Sequence, residues 1–116
     1  MEAPFIVRHG DWYYLFVSYD LCCRGPKSTY KVVVGRSDKV TGPYVDADGT
    51  PLMEGGGTVV VRGNDRYPGL GHCAVVSNGE GEKMLLHAYD RETGYNAVLL
   101  TRTLSWGLDG WPSIHL

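Results

Sequence analysis

The sequence predicts an all-β protein, and three observations predict it. Runs rich in Val, Tyr and Phe recur at short intervals, sixteen glycines and six prolines punctuate them, and no window keeps a 3.6-residue apolar period for the length of a helix. Taken in order, residues 4–7 form a short apolar strand closed by the polar turn 8–11. Residues 12–19 follow as a strongly aromatic and β-branched strand. Residues 22–28 read as a loop marked by Gly25-Pro26, and residues 30–34 as the next strand. Gly42-Pro43-Tyr44 and Asp48-Gly49 mark turns, after which Gly55-Gly56-Gly57 leads into a strand at 58–61. Residues 73–76, 84–89 and 97–101 supply the strands of the second half.

Composition narrows the function. Eleven Lys and Arg against thirteen Asp and Glu give a net charge of −2, without the basic run expected of a nucleic-acid binder. A hydrophobic content of 43% is enough for a core, and no apolar stretch approaches the roughly 20 residues that span a bilayer. Met1-Glu2-Ala3-Pro4 has neither the basic region nor the long apolar region of a secretion signal. Cys22 and Cys23 are adjacent, which is not a zinc-ligand spacing, and Cys73 lies far along the chain. All three are expected to be reduced, small buried residues.

The two halves resemble one another. Phe16-Val17-Ser18-Tyr19-Asp20 matches Leu86-His87-Ala88-Tyr89-Asp90, and Val32-Val33-Val34-Gly35-Arg36-Ser37 matches Val98-Leu99-Leu100-Thr101-Arg102-Thr103. Gly42-Pro43-Tyr44 is echoed by Asp109-Gly110-Trp111-Pro112. Ordered matches at one offset indicate a tandem β unit, and a unit of about four strands is one blade of a β-propeller. The expected layout is two four-stranded blades, approximately residues 1–57 and 58–116. A blade has apolar faces that its neighbours cover, so a pair of blades is expected to be completed by further chain. That chain is either a missing N-terminal part or a second copy in a homodimer.

Specific residues carry a family resemblance. Glu2-Ala3-Pro4-Phe5-Ile6, Tyr13 to Asp20 with Cys22-Cys23-Arg24-Gly25, Thr29 to Ser37, Thr41-Gly42-Pro43-Tyr44, Glu54-Gly55-Gly56-Gly57, Gly69-Leu70-Gly71-His72 and Asp109-Gly110-Trp111-Pro112 occur in that order. Together they resemble the endo-arabinanase branch of glycoside hydrolase family 43, over roughly the last two blades of its catalytic domain. The resemblance implies a five-bladed propeller that hydrolyses α-1,5-linked arabinan with inversion, outside the cell or in the periplasm. Inversion needs a protonated carboxylic acid for the leaving oxygen and a carboxylate base for water, on opposite faces of the sugar. The resemblance assigns the general acid to Glu2. It assigns the base and a pKa-modulating Asp to earlier blades, so neither has a matching position here. It also implies that His72 helps hold a calcium ion, partly through water, with Cys73 standing where the family often has Asn.

Other residues keep a bland expectation beside a functional one. Ser18, Tyr19, Cys22 and Cys23 adjoin the acid's blade and are expected to line a sugar cleft. Asp20 and Asp90 recur at equivalent positions and are expected to close strand-end turns rather than to catalyse. His9 is expected in a solvated hairpin turn, His87 packed within a sheet, and His115 at the terminus. Trp12, Tyr13, Tyr14, Trp106 and Trp111 are expected mostly to pack between blades. A competing function is a non-catalytic partial propeller that oligomerises or binds sugar.

Overall fold

The computed structural model describes residues 1–20, 27 and 29–116. Among them the regular structure is strand, interrupted only by short 3-10 turns. Strands β1 (Glu2–His9), β2 (Trp12–Tyr19), β3 (Lys31–Ser37) and β4 (Thr58–Val61) form one antiparallel sheet in sequential order. Strands β5 (Leu70–Asn78), β6 (Gly81–Asp90) and β7 (Asn96–Thr103) form a second. A short hairpin of β8 (Ser105–Trp106) and β9 (Pro112–Ser113) ends the chain. No helix among the described residues is long and apolar enough to cross a membrane.

Two expectations need correction. The second sheet has three strands rather than four, because the chain leaves β7 for the separate β8–β9 hairpin instead of adding an edge strand. The expected boundary at 57/58 also falls one strand early. Val33 pairs with Val59 and Val34 with Thr58, so β4 completes the first sheet. Its run of three valines reads equally well as the end of one unit or the start of the next, and pairing decides between them.

Period-two alternation explains how the sheets meet. Tyr14, Phe16 and Ser18 on β2 and Val32 and Val34 on β3 point to one face. They meet Leu70, Val75, Met84, Leu86 and Leu100 of the second sheet in one core. Phe16, Met84 and Leu86 are 0% exposed, and each such side chain contributes about 1.5–3 kcal/mol by burial. At the outer end of this seam lies an aromatic cluster. His9 stacks on Trp106 at 3.7 Å, Tyr14 meets both Trp106 and Trp111 edge-on, and its hydroxyl donates to the Gly110 carbonyl at 2.6 Å. The Arg36 guanidinium lies 4.3 Å from the Trp12 ring centre and 4.6 Å from that of Trp111. His9, still 42% exposed, thus ties β1 to the β8–β9 hairpin, and its Nδ1 lies 3.7 Å from Glu82 Oε1 on β6.

The outward faces differ. On the first sheet, the connection between β3 and β4 folds back so that Leu52 covers Val17 and Val33 and fits over Gly35. Asp46 organises this connection by accepting from the backbone N–H groups of Asp48, Thr50 and Gly57, each at 2.9 Å. Those hydrogen bonds, that of Gly57 foremost, hold its carboxyl below the usual range. On the second sheet, the outward residues include Ala74, Val76, Leu85 and Leu99. Val76 is 45% and Leu99 63% exposed among the described residues.

Candidate active site

The innermost strands of the two sheets, β1 and β5, share a local device. Each is interrupted by a bulge, between Glu2 and Phe5 in β1 and between Gly71 and Ala74 in β5. In each, the first extra residue has left-handed backbone: Ala3 at φ 52° and His72 at φ 53°. Non-glycine residues rarely adopt this conformation, and a bulge re-aims the side chains around it. The result is a cavity of about 310 Å³ at the inner end of the sheets, lined by Glu2, Tyr30, Leu70, His72, His87 and Tyr89 among others.

The cavity is held by bonds that cross between the sheets. The fully buried Ser18 hydroxyl accepts from the His72 backbone N–H at 2.9 Å, which fixes the bulge of β5 against β2. The Tyr30 carbonyl accepts from the Leu70 N–H at 3.1 Å. Gly71 makes the close approach feasible. A Cβ there would lie inside van der Waals contact of the Tyr30 ring and 2.9 Å from Ser18 Oγ. The Tyr30 phenol lies within hydrogen-bonding reach of both Ser18 and Glu2. Burial, chiefly, raises its pKa above the ordinary 10.0, and the neighbouring Glu2 carboxylate adds to the rise.

The structure places Glu2 and His72 on the lining of one cavity and puts the other expected residues elsewhere. Ser18 lies beneath the wall rather than on it. Tyr19 is on the opposite face of β2, where its hydroxyl donates to the Gly56 carbonyl at 2.6 Å, and burial raises its pKa. Cys22 and Cys23 lie outside the described residues. His87 is exposed on the outward face of β6, not packed within the sheet, and stacks near His72 with ring centres 6.0 Å apart. The cavity residue that carries no site role in the sequence is Tyr30, which reads there as part of a strand and of the family pattern. Its place just ahead of β3, in line with the inner end of the sheets, was the available signal.

Of the two aspartates expected to close strand-end turns, Asp90 does so by accepting from the backbone beyond β6, whereas Asp20 is seen in an ion pair. Asp20 pairs with Lys31 at 3.0 Å. Asp90 accepts from Glu92 N at 3.0 Å and takes a two-pronged contact from Arg66 at 3.1 and 3.2 Å, and that guanidinium above all lowers its pKa. Cys73 is a free, buried thiol that burial pushes up to about 11. Calcium takes mainly oxygen ligands. Among the described residues no group of three His, Cys, Asp or Glu is placed to hold a metal.

Comparison with known proteins agrees with this geometry. The chain is 46% identical over 114 residues to an extracellular exo-α-(1→5)-L-arabinofuranosidase of Cellvibrio japonicus, covering 98% of this chain and 33% of that protein. It is 43% identical over 113 residues to an extracellular endo-α-(1→5)-L-arabinanase of Bacillus subtilis, covering 97% and 34%. Its backbone superposes on an α-L-arabinanase of Cellvibrio cellulosa, solved with arabinohexaose, with a TM-score of 0.95. That match has 46% identity and covers 98% of this chain and 36% of the other. The chain thus spans about a third of the length of the curated relatives it matches. The model of the glycosyl hydrolases family 43 matches residues 1–112, and the chain belongs to that family.

Proposed function

We propose that this chain is the C-terminal portion of an arabinan-hydrolysing domain and that Glu2 is its general acid. The observation that carries the reading is the position of Glu2, a carboxyl at the β1 bulge that opens into the inner cavity facing His72 and His87. The relatives' names support arabinan as the substrate class and an extracellular setting.

In the proposed reaction the Glu2 carboxyl proton passes to the glycosidic oxygen as the bond from that oxygen to the anomeric carbon breaks. Water attacks the opposite face of the same carbon and gives its proton to a carboxylate base. Inverting enzymes hold the acid and base about 6.5–9.5 Å apart to admit that water. A glutamate exposed to water is ionised at neutral pH, so the acid needs neighbours that favour its protonated form. Among the described residues no second carboxylate lines the cavity. The base and the pKa-modulating Asp therefore come from further blades, which would also cover Ala74, Val76, Leu85 and Leu99. A calcium ion at His72 would need oxygen ligands from the same source.

Light scattering together with reducing-sugar release from linear arabinan tests this reading. The expected result is a chain that self-associates or binds the missing blades through its bare sheet face and hydrolyses arabinan only when the ring is complete. A stable assembly that binds arabinan and never cleaves it would overturn the enzyme reading in favour of a sugar-binding module.

A further inference from the structure

The Tyr30 phenol lies where three constraints meet. Its ring is 5% exposed and closes on Gly71 so tightly that no side chain fits there. Its backbone carbonyl is bonded to Leu70 across the sheets, and Glu2 stands directly across from Ser18 in the β1–β2 ladder. The Ser18 oxygen accepts from the His72 N–H, and the Tyr30 hydroxyl interacts with both Ser18 and Glu2. An ionised carboxylate only accepts, so the phenol is the donor to Glu2 in that state.

We propose that Tyr30 is the positioning residue of Glu2: wedged against Gly71 and held by Ser18, its hydroxyl binds one oxygen of the Glu2 carboxyl and leaves the other aimed into the cavity to give up its proton. The inference rests on the reading of Glu2 as the general acid. In the step, the proton leaves the free Glu2 oxygen for the glycosidic oxygen, which departs with the electron pair of the broken C–O bond. The carboxylate that remains keeps the hydrogen bond from Tyr30 and regains a proton from solvent. Tyr30 itself transfers none. The other titratable groups facing Glu2 among the described residues are His72, His87 and Tyr89, and Cys73 lies near Tyr30.

The test separates positioning from packing. Tyr30→Phe keeps the ring against Gly71 and removes only the hydroxyl. In the completed enzyme, kcat on arabinan is expected to fall roughly 10- to 100-fold with KM little changed. Activity on an aryl arabinoside with an acidic phenol leaving group, which needs no protonation, is expected to stay within about twofold. Equal activity on both substrates, or an equal loss on both, would overturn the proposal. Glu2→Gln serves as the separate control. If it keeps full activity on arabinan, the acid assignment itself fails, whatever Tyr30→Phe does. In the chain alone, the Tyr30 ring-carbon NMR signal is expected to follow the ionisation of Glu2 and to stop doing so in Glu2→Gln. A signal indifferent to Glu2 would also overturn the proposal.

Discussion

Replacing Gly71 by Ala tests the crossing point of the two sheets with a single methyl group. The added Cβ would overlap the Tyr30 ring and sit 2.9 Å from Ser18 Oγ. Neither neighbour can retreat easily, because Tyr30 is 5% and Ser18 0% exposed. Overpacking of this kind costs about 1–3 kcal/mol, and disturbing the Ser18 hydrogen bonds adds about 1 kcal/mol. The reduced freedom of the unfolded chain returns about 0.4–1 kcal/mol. The net loss is about 1–3.5 kcal/mol, or roughly 5–18 °C in melting temperature for a domain of this size. Gly79→Ala is the matched control, since nothing lies within 4 Å of its added Cβ, and it should be neutral or slightly stabilising. Thermal and urea unfolding followed by circular dichroism measure both. Gly71→Ala within about 0.5 kcal/mol of Gly79→Ala would refute the close approach, and with it the geometry that holds Tyr30 beside Glu2.

Two further outcomes follow from single side chains. Tyr19→Phe should lose about 1 kcal/mol of stability by freeing the Gly56 carbonyl, and should leave arabino-oligosaccharide affinity unchanged; weaker sugar binding at unchanged stability would return Tyr19 to the cleft. Cys73, with Cys22 and Cys23 replaced by Ser, should resist a thiol reagent at pH 8 until the chain is unfolded. Its thiol is raised by burial from 9.0 to about 11, so the unfolded chain releases that proton first. Stability from this group is full below about pH 9 and declines as the pH rises toward about 11, a trend that urea midpoints across that window would check. Rapid labelling of the folded chain, or a midpoint flat across that range, would contradict the buried thiol.

The strands were legible because their chemistry is local. Tyr13 to Val17 and Val32 to Val34 declare a pleated surface whatever surrounds them, and the recurrence of Tyr19-Asp20 as Tyr89-Asp90 declares a repeat. Pairing was not local, so Thr58–Val61 was attached to the wrong unit and a fourth strand was expected where the chain turns into the β8–β9 hairpin. Glu2 and His72, singled out by motif resemblance, both line the cavity. Their shared environment was not legible, because left-handed backbone at Ala3 and His72 has no signature in an Ala or a His. Tyr19 misled because adjacency along a strand places neighbours on opposite faces: Ser18 points toward the cavity wall, and Tyr19 away from it. The stacking of His9 on Trp106 was not legible either, because that partner is distant in sequence.

The most direct measurement is the rate of arabinan hydrolysis by the completed enzyme with Glu2 intact and with Glu2→Gln. General acid catalysis contributes roughly 10²- to 10⁴-fold, so Glu2→Gln should lose at least about 100-fold while still binding the polysaccharide. An unchanged rate would show that the proton comes from elsewhere and that the cavity beside His72 is not the catalytic centre.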